Sequence, residues 1–162
     1  MRTVQRIGRW GMFLVMLALG VSAAEVPKLG WEKLAGFKFT APAYEPGQSE
    51  ADIVAESTAQ IPEDIASYNG RDVVLSGFML PVRMEAGTGK VAEFLLVSDP
   101  MVCCYGAVPA VNEWVTVRLA KPIEPLMDVT LFFRGRLKVG PVMDNGYLTT
   151  IYEMDEAVAV KE

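Results

Sequence analysis

Adjacent Cys103 and Cys104 are the residues of this chain whose type and spacing point most directly to chemistry. They lie in Met101-Val102-Cys103-Cys104-Tyr105-Gly106, bracketed by Pro100 and Pro109. Neighbouring side chains on a strand face opposite ways, so the two thiols share a ligand only if they sit in a turn. Four readings stand open. The cysteines can be small buried hydrophobes. They can form a vicinal disulfide, which an oxidising compartment favours. Consecutive Cα atoms are only about 3.8 Å apart, against the usual disulfide range of about 4.4–6.8 Å, so that bond would be strained and easily reduced. They can bind a soft metal: two thiolates with Met101, or with Met79 or Met143, suit Cu(I) better than a hard cation. Copper is the one cofactor this reading admits. Lastly, a catalytic thiol would need an Arg, a Lys or a helix N-terminus to ionise it. Tyr105 completes the candidate binding and redox residues of the loop.

The chain has no histidine. That removes Ser-His-Asp and Cys-His catalysis and the histidine-containing zinc sites. Arg134, Arg136 and Lys138 alternate along one strand face, and are expected to be a solvated edge paired with carboxylates. Asp144-Asn145-Gly146 lacks the spacing of a calcium loop and reads as a hairpin turn. Asn112 and Glu113 follow the cysteine loop. Asn112, which both donates and accepts, is expected to hold that loop through its backbone, and Glu113 to face solvent or Arg118.

The elements that must carry these residues begin after an N-terminal secretory pattern. Arg2, Arg6 and Arg9 precede an apolar run from Trp10 to Gly20, then Val21-Ser22-Ala23-Ala24. Cleavage is expected after Ala23 or Ala24, with residues 1–24 as signal peptide; the run is short for a membrane span, which needs about 20 apolar residues. Residues 25–60 read as an irregular and helical arm. Trp31 to Leu34 suits one helical turn. Ser49-Glu50-Ala51-Asp52 opens a helix that Ile61-Pro62 interrupts. Pro62 then suits the first position of a second short helix stopped by Asn69-Gly70. From residue 61 to 162 the period becomes two. Strands are expected over residues 72–81, 91–98, 113–119, 128–138 and from Tyr147 to about Asp155, with Gly77 relieving a bend. Pro122 and Pro125 argue against a helix between the third and fourth. Five such strands, the first apolar on both faces, predict an all-β fold with short N-terminal helices. The architecture expected is a five- to six-stranded barrel like the oligonucleotide/oligosaccharide-binding (OB) fold, with a β-sandwich or another small barrel as the alternative.

Removing the three signal arginines leaves 12 cations against 20 carboxylates, a net charge of −8. Such a surface repels phosphate backbones, so nucleic acid is not an expected partner. Stable membrane insertion after cleavage is not expected either.

Ile61-Pro62, Asn69-Gly70, the strand Val74-Leu75-Ser76-Gly77-Phe78-Met79-Leu80-Pro81 and Phe94-Leu95-Leu96-Val97 before the cysteine loop and Asn112-Glu113 resemble a bacterial exported family, DUF3299. Many relatives carry a cysteine, a histidine two residues on, and a proline-rich run. Cys103 matches the cysteine, Tyr105 stands where the histidine would be, and only Pro109 answers the prolines. The chain is similar instead to a double-cysteine branch. The resemblance implies fold and export, and no activity. The functional expectation is a non-enzymatic periplasmic or extracellular binding or accessory protein, serving an envelope protein or transporter complex. The alternative is a soft-metal or redox protein using Cys103 and Cys104.

Overall fold

A computed structural model describes residues 25–45, 47–101 and 109–162. In chain order these form β1 (Lys28–Leu29), α1 (Trp31–Leu34), α2 (Glu50–Ala59), α3 (Glu63–Ala66), β2 (Arg71–Met84), β3 (Val91–Val97), a 3₁₀ turn (Val111–Glu113), β4 (Trp114–Ile123), β5 (Leu131–Asp144) and β6 (Tyr147–Val160). The signal pattern and the cysteine pair lie outside the described residues.

Five strands close into a barrel in the order β2-β3-β4-β6-β5, with β5 returning to β2. All neighbours run antiparallel except β4 and β6, which pair in parallel. This is the OB-type barrel expected from the strand pattern. One strand must serve two partners for it to close. Residues 71–77 of β2 pair with β5, and from Phe78 onward the strand pairs with β3. Gly77 stands at the changeover. A Cβ there would lie 2.5 Å from the Val97 carbonyl oxygen, so only glycine lets the two strands approach so closely. Val73, Leu75 and Met79 of β2 point inward and are fully buried with Phe94, Leu96, Val117, Phe133 and Leu137. The rings of Phe94 and Phe133 meet at 4.8 Å.

Several boundaries move. β4 runs on to Ile123, and β5 starts at Leu131 and continues to the Asp144 hairpin, where Asn145 (φ 50°) and Gly146 (φ 83°) form the turn. Residues 124–130 contain no helix, as the two prolines imply. Pro62 caps α3 from outside instead of occupying its first turn. Its extended ψ of 146° is the conformation of a cap residue. Ser49 and Asp52 form the expected capping box on α2.

The arm is more ordered than its composition suggests. Lys28–Leu29 adds to β2 as a parallel strand. The Trp31 indole donates to the Ser76 carbonyl at 2.7 Å. Leu34 and Phe39 enter the core, and the buried Tyr152 hydroxyl donates to the Leu34 carbonyl at 3.0 Å. Burial pushes that phenol's pKa up, so Tyr152 remains a neutral donor.

Candidate functional site

On a barrel strand, inward side chains build the core and outward ones are available to a ligand. On β3 the outward set includes Glu93 and Leu95; on β4 it includes Trp114, Thr116 and Arg118. Cross-strand register fixes their neighbours: Glu93 faces Arg118, Leu95 faces Thr116, and Thr116 faces Glu153 of β6. Together they floor a cleft of about 550 Å³. Val82 at the end of β2 closes one side, and the β5–β6 hairpin, through Val142, Met143, Asp144 and Thr149, closes the other. Its volume lies within the range of about 300–1,000 Å³ usual for small-ligand sites.

The floor is knit by charge. The Arg118 guanidinium donates to Glu153 at 2.6 Å and to Asp155 at 3.2 Å, and its Nε lies 3.6 Å from Glu93. Arg83 holds Glu93 from β2 at 3.0 Å, and Lys138 holds Asp155 from β5 at 2.5 Å. Three cations thus meet three carboxylates, with every barrel strand contributing. The pair with Glu153 raises the pKa of Arg118 against the opposing effect of burial. The hydrogen bond from Lys138, aided by Arg118, holds Asp155 below the usual carboxylate range, and Asp155 in turn raises Lys138. All three shifts favour the charged forms.

Aromatic groups accompany this network. Trp114 lines the cleft half-buried, and its indole N–H has no hydrogen-bond partner among the described residues. Beyond the hairpin, Tyr147 stacks on Tyr44 of the arm with ring centroids 5.0 Å apart and both rings exposed.

Those of the residues singled out from sequence that are described are dispersed. Cys103, Cys104 and Tyr105 lie outside the described residues. Met101 is exposed just before them, Met79 is buried in the barrel core, and Met143 lines the cleft. Among the described residues no group of three or more His, Cys, Asp or Glu side chains is arranged to hold a metal ion. Arg134, Arg136 and Lys138 are paired with carboxylates: the two arginines share Asp72 at 3.2 and 4.0 Å.

Asn112 is buried, and its Nδ2 donates to the Phe37 carbonyl of the arm at 2.8 Å. Its Oδ1 has no partner among the described residues. The reading of Glu113 needs correction. It is half-buried and makes no ion pair with Arg118; its Oε2 accepts the Ala110 N–H at 2.8 Å. A carboxylate three residues into a short helical turn reaches back to the free amide at its start.

The cleft residues Glu93, Arg118, Glu153 and Trp114 were missed as a group. The available signal was an outward tryptophan among the polar positions of one strand, with opposite charges on others.

No curated protein matches the chain. A crystal structure of a DUF3299 family protein from Pseudomonas aeruginosa PAO1 superposes with a TM-score of 0.57 at 23% identity, covering 85% of this chain and 97% of that one. That likeness shows the fold. The sequence profile described as "Protein of unknown function (DUF3299)" matches residues 33–161, most of the length, and the chain therefore belongs to the DUF3299 family.

Proposed function

We propose that this is a non-enzymatic binding protein of the cell envelope whose ligand face is the cleft over β3 and β4. The carrying observation is the convergence of five strands on one cleft with a compensated charge network on its floor. OB-type barrels use the face of their second and third strands, and the adjoining loops, for ligands. In this chain those strands are β3 and β4. The Arg118, Lys138 and Asp155 charges are each held by an opposite charge, which suits a fixed recognition surface. Export rests on the N-terminal pattern of Arg2, Arg6 and Arg9, the apolar run and the small residues at 21–24. An accessory role beside an envelope or transporter complex is consistent with a small domain whose five barrel strands all contribute to one cleft.

The test is site-specific photo-crosslinking in intact cells, with the crosslinking amino acid placed at Thr116 in the cleft or at Glu56 on α2. Adducts with envelope components at position 116, and not at position 56, are expected. Adducts at 56 alone would move the binding face off the cleft.

A further inference from the structure

The chemistry of the cleft narrows what it takes. The reasoning rests on the cleft being the ligand face. A site for an anion carries uncompensated donors, and a site for a cation carries uncompensated carboxylates. Here the floor is neither. Arg118 is shared among Glu93, Glu153 and Asp155, while Arg83 and Lys138 neutralise the outer ends. The result is a floor row of fixed donors and acceptors with no net charge, and on the hairpin wall Asp144, without an ion pair among the described residues, adds one further acceptor. Such a row suits vicinal hydroxyls, which donate and accept at once and bring no charge to compensate. Trp114 adds an aromatic ring at the edge of the floor, its N–H without a partner among the described residues, and Leu95 and Val82 supply apolar surface. A sugar ring has that same mixture of polar edge and apolar face.

We propose that the cleft binds a neutral oligosaccharide, with its hydroxyls on the Glu93–Arg118–Glu153 row and one ring against Trp114. Polyphosphates are disfavoured twice, by the compensated floor and by the −8 charge expected for the mature chain.

The experiment titrates the mature protein with three neutral tetrasaccharides: maltotetraose, cellotetraose and chitotetraose. Tetralysine and tetragalacturonate serve as cationic and anionic comparators. Tryptophan fluorescence and calorimetry are read together. At about 10 mM probe, a Kd of about 1 mM is nearly saturated. At least one neutral tetrasaccharide is expected to bind. Affinity should fall at least tenfold in Trp114→Ala and in Thr116→Arg, which fills the cleft from an outward position without entering the core. Thermal melts and far-ultraviolet circular dichroism confirm that each variant is folded. If a comparator binds and the neutral sugars do not, the ligand class is overturned while the cleft reading stands. If no neutral sugar binds, or binding survives both variants, the proposal fails. Loss of the Thr116 crosslinks as well would remove the cleft reading with it.

Discussion

Replacing Arg118 by Met tests whether the cleft floor is a coupled network or a set of independent surface pairs. Removing the guanidinium leaves the three carboxylates in different positions. Glu93 keeps Arg83 at 3.0 Å and Asp155 keeps Lys138 at 2.5 Å. Among the described residues Glu153 keeps only Lys138, at 3.9 Å, although its side chain is 9% exposed. The cost therefore falls on one orphaned carboxylate. Breaking a fully buried pair costs about 3–5 kcal/mol. Arg118 is 37% exposed, and solvent screens its side of the interaction, which brings the expectation down to about 2 kcal/mol.

If the cost is orphaning, removing the second charge should recover part of it. Arg118→Met combined with Glu153→Gln should be more stable, by about 1 kcal/mol, than the two separate costs added together. The pH dependence follows from the directions of the shifts. Asp155 is depressed, so its contribution is present above its unfolded pKa of about 3.9 and is lost as pH falls through the lower folded value. Arg118 and Lys138 are raised, so theirs is complete below their unfolded values, above about pH 10, and lost only beyond them. The gap between wild type and Arg118→Met should be flat from about pH 5 to pH 9 and narrow below about pH 4. Urea melts at pH 7 and pH 3 measure both effects. Strict additivity in the double variant, or a gap that widens in acid, would refute the network.

Asn112→Ala removes the donor to the Phe37 carbonyl and should cost about 1–3 kcal/mol in urea melts, with proteolysis beginning in residues 25–48; unchanged stability would show that this bond does not hold the arm. Gly77→Ala places a Cβ 2.5 Å from the Val97 backbone oxygen. It should cost at least about 2 kcal/mol in the same melts, because the β2–β3 ladder must shift, and a neutral substitution would contradict the close approach described. Intact-mass analysis of the exported protein should place its start at Ala24 or Glu25, and its mass should distinguish free Cys103 and Cys104 from a disulfide two hydrogens lighter. A retained Met1 would replace cleavage with anchoring, and two free thiols that take up no Cu(I) would remove the metal and disulfide readings.

What could be read from the sequence, and what could not, divides along a physical line. Alternation reports which face of a strand is buried, because the side-chain period is two whatever strand lies alongside. That is why Arg134, Arg136 and Lys138 could be set on one outward face of β5, whereas β2, apolar on both faces, left Val73 and Leu75 undistinguished from their neighbours. Alternation says nothing about which strand pairs with which, or in what register. The cleft depends on both: Glu93 and Arg118 are 25 residues apart in the chain, and Arg118 and Glu153 are 35. Singly, each looks like an ordinary outward charge. Asn112 shows the same limit on a smaller scale. Its capacity to donate and accept marked it as structural, but the carbonyl it reaches lies 75 residues upstream in an arm whose composition looks irregular. Glu113 failed for a local reason that could have been read: a Glu three residues after the start of a helical turn reaches back to the first amide even when, as at Ala110, no side-chain acceptor completes the usual reciprocal pair. In a closed barrel, then, the outward residues acquire their chemistry from the register. The first evidence about this cleft should come from perturbing cross-strand pairs such as Arg118 with Glu153, since single-site changes sample a network whose members compensate for one another.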